Sequence, residues 1–313
     1  MSVSDLVPTL DARVLDGDPE AGAQHLGHAW QQSGFITVTH HGIDPAIIAH
    51  CRDATRAFFN LPLDVKLRHH ISGGGGQRGY TPFGVETAKD ADIPDRKEFW
   101  HVGRELEGGA LYSRGLIPNV WPEHLPGFKD ACLNFFQAMD DLGRRLLTSV
   151  ARFLDLPVDY FEARVASGNS ILRLLHYPPV GSDEAGERAA AHEDINVITL
   201  LVGADQQGLE VLHRNGTWIP VHTDSDAIVC NVGDMLARLT NDVLPSTTHR
   251  VTRPAGDGAK HSRYSMPYFV HFAPDIEIAV LDSCVSDSNP NRYPQPITAQ
   301  AFLHQRLAEI GLT

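Results

Sequence analysis

Cysteine is scarce in this chain: four in 313 residues, Cys51, Cys132, Cys230 and Cys284, widely separated and without a Cys-x-x-Cys. That spacing excludes a zinc knuckle or a redox pair. At this length a disulfide framework is not expected either, which leaves buried free thiols. Long apolar runs are missing too, since none approaches the roughly 20 residues of a membrane-spanning helix. Met1 to Pro8 offers no basic segment leading into an apolar one, so a cytosolic protein is expected. Positive charge is the third shortage. With 26 Lys and Arg against 39 Asp and Glu, the formal net charge is −13, and no basic run interrupts it. This argues against nucleic acid or an anionic membrane as a partner, and it means that a small anionic ligand needs a local arginine.

The hydrophobic fraction of 42% is that of a globular protein, and the length allows one large core or two ordinary ones. Asp18-Pro19 reads as an N-cap followed by proline at the first helical position, opening a helix that ends at Gly34. Phe35 to Thr39 alternates as a strand, and Asp44-Pro45 repeats the capping device before a helix to about Asn60. Ser72-Gly73-Gly74-Gly75-Gly76 lacks a following Gly-Lys-Ser/Thr and a preceding strand, so it reads as a flexible loop and not a phosphate cradle.

From Gly79 to Gly115 the pattern is irregular and includes the charged patch Asp95-Arg96-Lys97-Glu98; long loops of this kind border sites. A long helix is expected from Leu125-Pro126, with Phe128, Cys132, Phe135, Met139, Leu142, Leu146 and Val150 on its apolar face, then a shorter one from Pro157 to Arg164. After Gly168 the chain turns extended. Short strands over 171–177, 197–202, 208–213, 217–221, 227–232, 249–252 and 263–272 suggest a sandwich or jelly roll, closed by a helix from Thr298 to Ile310.

Chemistry concentrates at Ala191-His192-Glu193-Asp194. His192 and Asp194 are two residues apart, so on a strand or its fraying end they leave one face and can reach one ion. With His249 as the third ligand, two imidazoles and a carboxylate form the facial set that suits non-haem iron(II), with three positions left for a bidentate co-substrate and dioxygen. His222-Thr223-Asp224 has the same spacing but lies in a polar turn, whereas His192-x-Asp194 runs into the apolar strand Ile195 to Val202.

Further motifs stand in a fixed order: Gly34-Phe35-Ile36-Thr37-Val38-Thr39-His40-His41-Gly42-Ile43, Trp121-Pro122, Gly208-Leu209-Glu210-Val211-Leu212, Asn231-Val232-Gly233-Asp234-Met235, Ser246-Thr247-Thr248-His249-Arg250-Val251 and Arg263-Tyr264-Ser265. In this series the chain resembles the iron(II)- and 2-oxoglutarate-dependent dioxygenases of the isopenicillin N synthase-like superfamily, over nearly its whole length. The resemblance implies a mixed α and β fold with a mainly β core, a distorted double-stranded β-helix (jelly roll) flanked by N-terminal and central helices. Residues 1–165 would form an N-terminal region packed on the core of residues 166–313, as one cooperative unit.

The resemblance also implies His192, Asp194 and His249 as ligands of Fe(2+), with O2 and 2-oxoglutarate as co-substrates, and Arg263, Ser265 and Tyr177 as partners of 2-oxoglutarate. Arg263 and Ser265 share a strand face, so a guanidinium fork and a hydroxyl can both reach one carboxylate. Leu175 stands where the family often has asparagine. If Tyr177 faces the cavity, so does Arg173, and a buried arginine calls for an acidic partner on a substrate, co-substrate or structural carboxylate. Tyr80, Phe83, Phe99 and Phe269 are candidate pocket residues and equally candidate core aromatics.

The implied activity is oxidation, with hydroxylation in first place, of a small-molecule substrate with release of succinate and CO2. Ethylene formation and a 2-oxoglutarate-independent oxidase stay open within the family. Outside it stand a zinc hydrolase, which would also use two His and one Asp but for which His-Glu-x-x-His is lacking, and a non-catalytic jelly roll.

Overall fold

The computed structural model describes residues 7–85, 97–105, 116–179, 187–203, 208–221, 226–252 and 260–309. Two of its helices begin where the Asp-Pro capping chemistry placed them. Asp18 accepts the Ala21 amide hydrogen at 3.1 Å and Pro19 opens the helix Pro19–Ser33, which Gly34 ends in the left-handed conformation at φ 70°. A side chain there would collide with Thr247 Oγ1 at 2.3 Å, so the glycine is required by conformation and by space. Asp44 caps Pro45–Phe59 in the same way, through the Ala46 amide at 2.8 Å.

In chain order the elements are β1 (Thr9–Asp11), α1 (Val14–Gly17), α2 (Pro19–Ser33), β2 (Phe35–Thr39), α3 (Pro45–Phe59), α4 (Leu63–Leu67), β3 (Gly79–Thr81) and β4 (Glu98–Gly103). There follow α5 (Phe128–Phe153), α6 (Glu162–Val165), β5 (Ile171–Tyr177), β6 (Ala189–His192), β7 (Ile198–Val202), β8 (Leu209–Leu212), β9 (Trp218–Pro220) and β10 (Ile228–Val232). The last are α7 (Asp234–Leu239), β11 (His249–Val251), β12 (Arg263–Ser265), β13 (Pro267–Val270), β14 (Glu277–Ile278), β15 (Ile297–Thr298) and α8 (Ala299–Glu309).

The large sheet runs β1-β2-β10-β7-β13-β5-β4-β3 with β12 also on β5, and a smaller sheet runs β6-β11-β8-β9. Phe35 and Val229 of the large sheet meet Val211 of the small one in a shared apolar cluster, which is the interior of a jelly roll. On the outer face of the large sheet lies α5, whose Phe128, Cys132, Phe135, Met139, Leu142, Leu146 and Val150 are all buried. Gly143 lets it approach Val270 of β13 and Leu200 of β7. Its one buried carboxylate, Asp140, takes two guanidinium nitrogens of Arg104 at 3.0 and 2.6 Å, Arg144 Nε at 2.8 Å and the Tyr268 hydroxyl at 2.6 Å. Burial works against that charge, and the two arginines and the tyrosine outweigh it, holding Asp140 below the usual carboxylate range.

Three expectations change, the first being the helix expected from Pro157 to Arg164, which is confined to Glu162–Val165 after a run of turns. The long helix starts at Phe128 and not at Leu125, because Gly127 is left-handed at φ 80°. The stretch 263–272 is two strands broken at Met266, with β12 on β5 and β13 bridging β5 and β7. The strand Ala189–His192 and the helix Asp234–Leu239 lack a sequence signal; the first is four residues of alanine and histidine, the second only six residues after Gly233. Asp95, Arg96, His222, Asp224 and Ile310 lie outside the described residues.

Strands from before residue 166 flank those from after it on both sides of one sheet, β2 pairing β10 and β4 pairing β5. Expressed alone, residues 1–165 are therefore expected to lack a cooperative thermal transition, because β2 and β4 would present open edges and α5 an uncovered apolar face. A stable monomer with a sharp calorimetric peak would contradict this.

Candidate metal centre

β6 and β11 are short, but their pairing decides the site: His249 stands directly opposite His192 in the ladder. The rings lie 4.4 Å apart between centroids. Asp194, just past the end of β6, brings its carboxylate to 4.0 Å from His192 Nε2 and 3.9 Å from His249 Nε2. Among the described residues this is the one group of three potential metal ligands, with one donor atom from each lying within 4.8 Å of the others.

The surrounding bonds prepare each donor. His192 Nδ1 donates to the Ala190 carbonyl at 2.7 Å and His249 Nδ1 to the Thr247 carbonyl at 3.1 Å. With Nδ1 carrying the hydrogen, Nε2 of each ring keeps its lone pair for an ion. Asp194 Oδ2 accepts from Thr199 Oγ1 at 2.6 Å and Asn231 Nδ2 at 2.8 Å, so the carboxylate is held from behind. Burial would raise its pKa, but the imidazoles of His249 and His192 and those two donors win, keeping it ionised below the usual range. Burial and the neighbouring His249 depress His192 to about 4, so its ring is neutral and free to ligate near neutrality. Two imidazole nitrogens turned toward an ionised carboxylate are what a divalent ion of borderline hardness requires.

The cavity at this centre is lined from both sheets, by Phe35, Leu201 and Val229 on the large one and Leu209, His249 and Val251 on the small one. At one end stand Arg263 and Ser265, both buried on β12, opposite Tyr177 and Leu175 of β5. The Arg263 guanidinium lies 5.3 Å from the Tyr177 ring centroid. Arg173 and Phe269 also line the cavity, as the alternation of β5 required for Arg173. Arg173 Nε donates to His101 Nε2 at 2.5 Å, and its guanidinium lies 4.5 Å from the centre of the Phe99 ring and 5.4 Å from that of Phe269.

Of the other aromatic candidates, Phe99 packs behind Arg173 in a small cluster with Leu175 and Tyr177. Tyr80 does not line the cavity. It opposes Trp100 in the ladder, on the other face of the sheet from Phe99, and its hydroxyl donates to Glu98 at 2.5 Å within a buried network with Lys66 and His176. Phe83 follows the end of β3, is 42% exposed and rests against His176.

Sequence reading missed Lys97, Thr199 and Asn231, which line the cavity, and Arg188, buried close enough to Arg263 for the like charge to add to burial in lowering its pKa to about 10. Lys97 stood within the charged patch and Asn231 at the head of the Asn231-Val232-Gly233 motif, so both were visible in the sequence. Arg188 had no signal, because only the fold brings it beside Arg263.

Known proteins resemble this chain over nearly its whole length. Residues 7–124 match the family described as non-haem dioxygenase in morphine synthesis N-terminal, and residues 168–272 match the 2OG-Fe(II) oxygenase superfamily. Proline hydroxylase buaE of Petromyces alliaceus is 33% identical over 94% of each chain, and homoarginine-6-hydroxylase 2-ODD-C23.1 of Arabidopsis thaliana 32% over 83% of this chain and 80% of its own. Among solved structures, a 2OG-Fe(II) oxygenase family protein from Caulobacter crescentus superposes with TM-score 0.90 at 46% identity, covering 97% of this chain and 99% of that one. A full-length Neurospora crassa protein, solved in complex with alpha-KG, gives 0.85 at 33%, covering 96% of both. Fold and matches together define a non-haem dioxygenase. The chain belongs to the 2OG-Fe(II) oxygenase superfamily. It is an oxidoreductase whose cofactor is Fe(2+) and whose co-substrates are 2-oxoglutarate and O2.

Asp194→Ala and His249→Ala are expected to lose most iron affinity in anaerobic equilibrium dialysis, with His222→Ala and Asp224→Ala binding like the parent. Thr199→Val, which removes one hold on Asp194 without touching a donor, should weaken binding by about 10- to 100-fold. Parent-like affinity in Asp194→Ala would refute the assignment.

Proposed function

We propose that the chain hydroxylates a small polar metabolite, with His192, Asp194 and His249 holding iron, Arg263, Ser265 and Tyr177 holding 2-oxoglutarate, and Arg173 meeting the oxidised substrate. The observation that carries this reading is the oriented triad, both Nδ1 atoms donating to carbonyls and Asp194 held by Thr199 and Asn231. Iron(II) supplies the redox chemistry when bound, activating dioxygen against the keto acid. The protein's own task is geometry. The buried guanidinium of Arg263 offers a two-pronged grip to the far carboxylate, the Ser265 hydroxyl adds a donor from the same strand face, and Tyr177 closes the end of the cavity.

A guanidinium at the cavity wall gains from an acceptor that offsets its desolvation. Arg173 is positioned over Phe99 and Phe269 with His101 fixing its Nε, an orientation that suits a carboxylate or carbonyl oxygen on the substrate. The relatives support carbon hydroxylation of such molecules, being named for proline and homoarginine, and the Neurospora crassa protein having been solved with thymine. The experiment is a screen of amino acids and nucleobases for substrate-stimulated succinate release from anaerobically iron-loaded protein. No stimulation by any acid or carbonyl-bearing candidate would count against the Arg173 role.

Arg263→Ala should raise the apparent 2-oxoglutarate constant about 30-fold or more, because losing one partner of a desolvated charge pair costs about 2–5 kcal/mol. Lysine should rescue only in part, keeping charge but losing the fork. The readout is the charge-transfer band that forms on anaerobic mixing with iron(II) and 2-oxoglutarate. An unchanged titration in Arg263→Ala would remove the residue from this role.

A further inference from the structure

A second cavity, of about 370 Å³, lies between the glycine-rich loop at residues 73–75, residues 116–117 and α8. It shares no lining residue with the metal cavity. Arg78, Asn169 and His271 are among its polar lining residues, together with Gln77, Gln300 and His304, and Met235, Phe272 and Leu303 contribute apolar surface. That volume falls within the roughly 300–1,000 Å³ typical of small-molecule sites.

Arg78 sets this cavity apart. It and Arg104 are both buried, 2% and 9% exposed. Arg104 grips Asp140 with two nitrogens, and that pairing more than offsets the burial, raising its pKa. Among the described residues Arg78 hydrogen-bonds only to neutral oxygens, Nη1 to the Gln77 carbonyl at 2.6 Å and Nη2 to Asn169 Oδ1 at 2.8 Å, and its Nε has no partner there. Burial accordingly drops it to about 10. The opposing charge that it feels, Glu105, is exposed and takes its own hydrogen bond from Asn119. The fold nonetheless keeps room for this guanidinium: a Cβ at Gly103 would sit 2.0 Å from Arg78 Cζ.

His271 adds a second orphan. It is 6% exposed, its Nδ1 has no partner among the described residues, and burial holds the ring at about 4, hence neutral. A buried cation hydrogen-bonded only to amide oxygens is costly, as is a buried donor or acceptor left unmade. Both costs fall on the same wall of one cavity.

We propose that the second cavity binds a small organic acid, its carboxylate taken by Arg78 and His271 and its apolar body resting on Met235, Phe272 and Leu303. One guanidinium beside a neutral imidazole matches a single negative charge, and the apolar wall favours a carboxylate on a hydrocarbon body over a free phosphate dianion. His271 directly follows β13, whose Phe269 lines the metal cavity, and it senses the charge of Asp194, so the two cavities are neighbours. The acid is thus either the far end of the oxidised substrate or a separate ligand. The assignment does not depend on which residues hold iron or 2-oxoglutarate.

The test is calorimetric titration of the iron-loaded protein, carrying one equivalent of 2-oxoglutarate without oxygen, with 3-phenylpropionate and its neutral amide. The acid is expected to bind and to raise the melting temperature, and the amide to bind about tenfold more weakly or worse. Asn169→Asp places a carboxylate where Oδ1 now accepts from Arg78; it should retain or raise the parent's melting temperature yet lose acid binding by about tenfold or more. Arg78→Gln should show the same loss. Stimulated succinate release by the bound acid assigns the cavity to the substrate's far end, and binding without release assigns it to a separate ligand. No binding by the parent, equal binding of acid and amide, or undiminished binding in Asn169→Asp would each overturn the proposal.

Discussion

The metal centre depends on the pairing of two strands, one of four residues and one of three. β6 and β11 put His192 and His249 across from each other, and each ring is locked by its own chain, through the carbonyl two residues earlier. That spacing is a backbone property of the strand end, so the tautomer of each imidazole follows from the ladder itself. Asp194 lies beyond the strand and needs outside support, which comes from β7 through Thr199 and β10 through Asn231. The small sheet thus supplies the nitrogens, and the large sheet disciplines the oxygen.

Rigidity in the large sheet is what makes this useful, and Asp140 secures it from behind. The carboxylate ties α5 to β13 through Tyr268 and to the segment after β4 through Arg104. A buried charge with this many donors is strongly destabilising when one partner is lost, on the order of 3–5 kcal/mol. β13 carries Tyr268 toward α5 and Phe269 toward the metal cavity, so helix docking and cavity shape are set by adjacent residues of one strand.

The chain is acidic overall, yet Lys97, Arg173 and Arg263 line the metal cavity against the single carboxylate of Asp194 among its described lining residues. Such a reversal concentrates positive potential inside this cavity, and a low-dielectric wall strengthens it. Arg188 near Arg263 and Arg78 in the neighbouring cavity extend the same trend. Net charge is negative over the whole chain while arginines line both cavities inside.

Local chemistry was legible from the sequence wherever neighbours in the chain settle it. The Asp-Pro caps of α2 and α3, the glycine stop at Gly34, the apolar face of α5 and the period-two faces of β5 and β12 are short-range effects. The ordered motifs carried the family, and with it the fold. What the chain could not declare locally was decided by tertiary structure: that four residues of alanine and histidine form β6, that Tyr80 faces the core while Phe99 backs the cavity, and that Arg188 and Arg78 end up buried. Strand pairing and burial of charge are settled by partners distant in the chain, and no local pattern encodes which partner will be opposite.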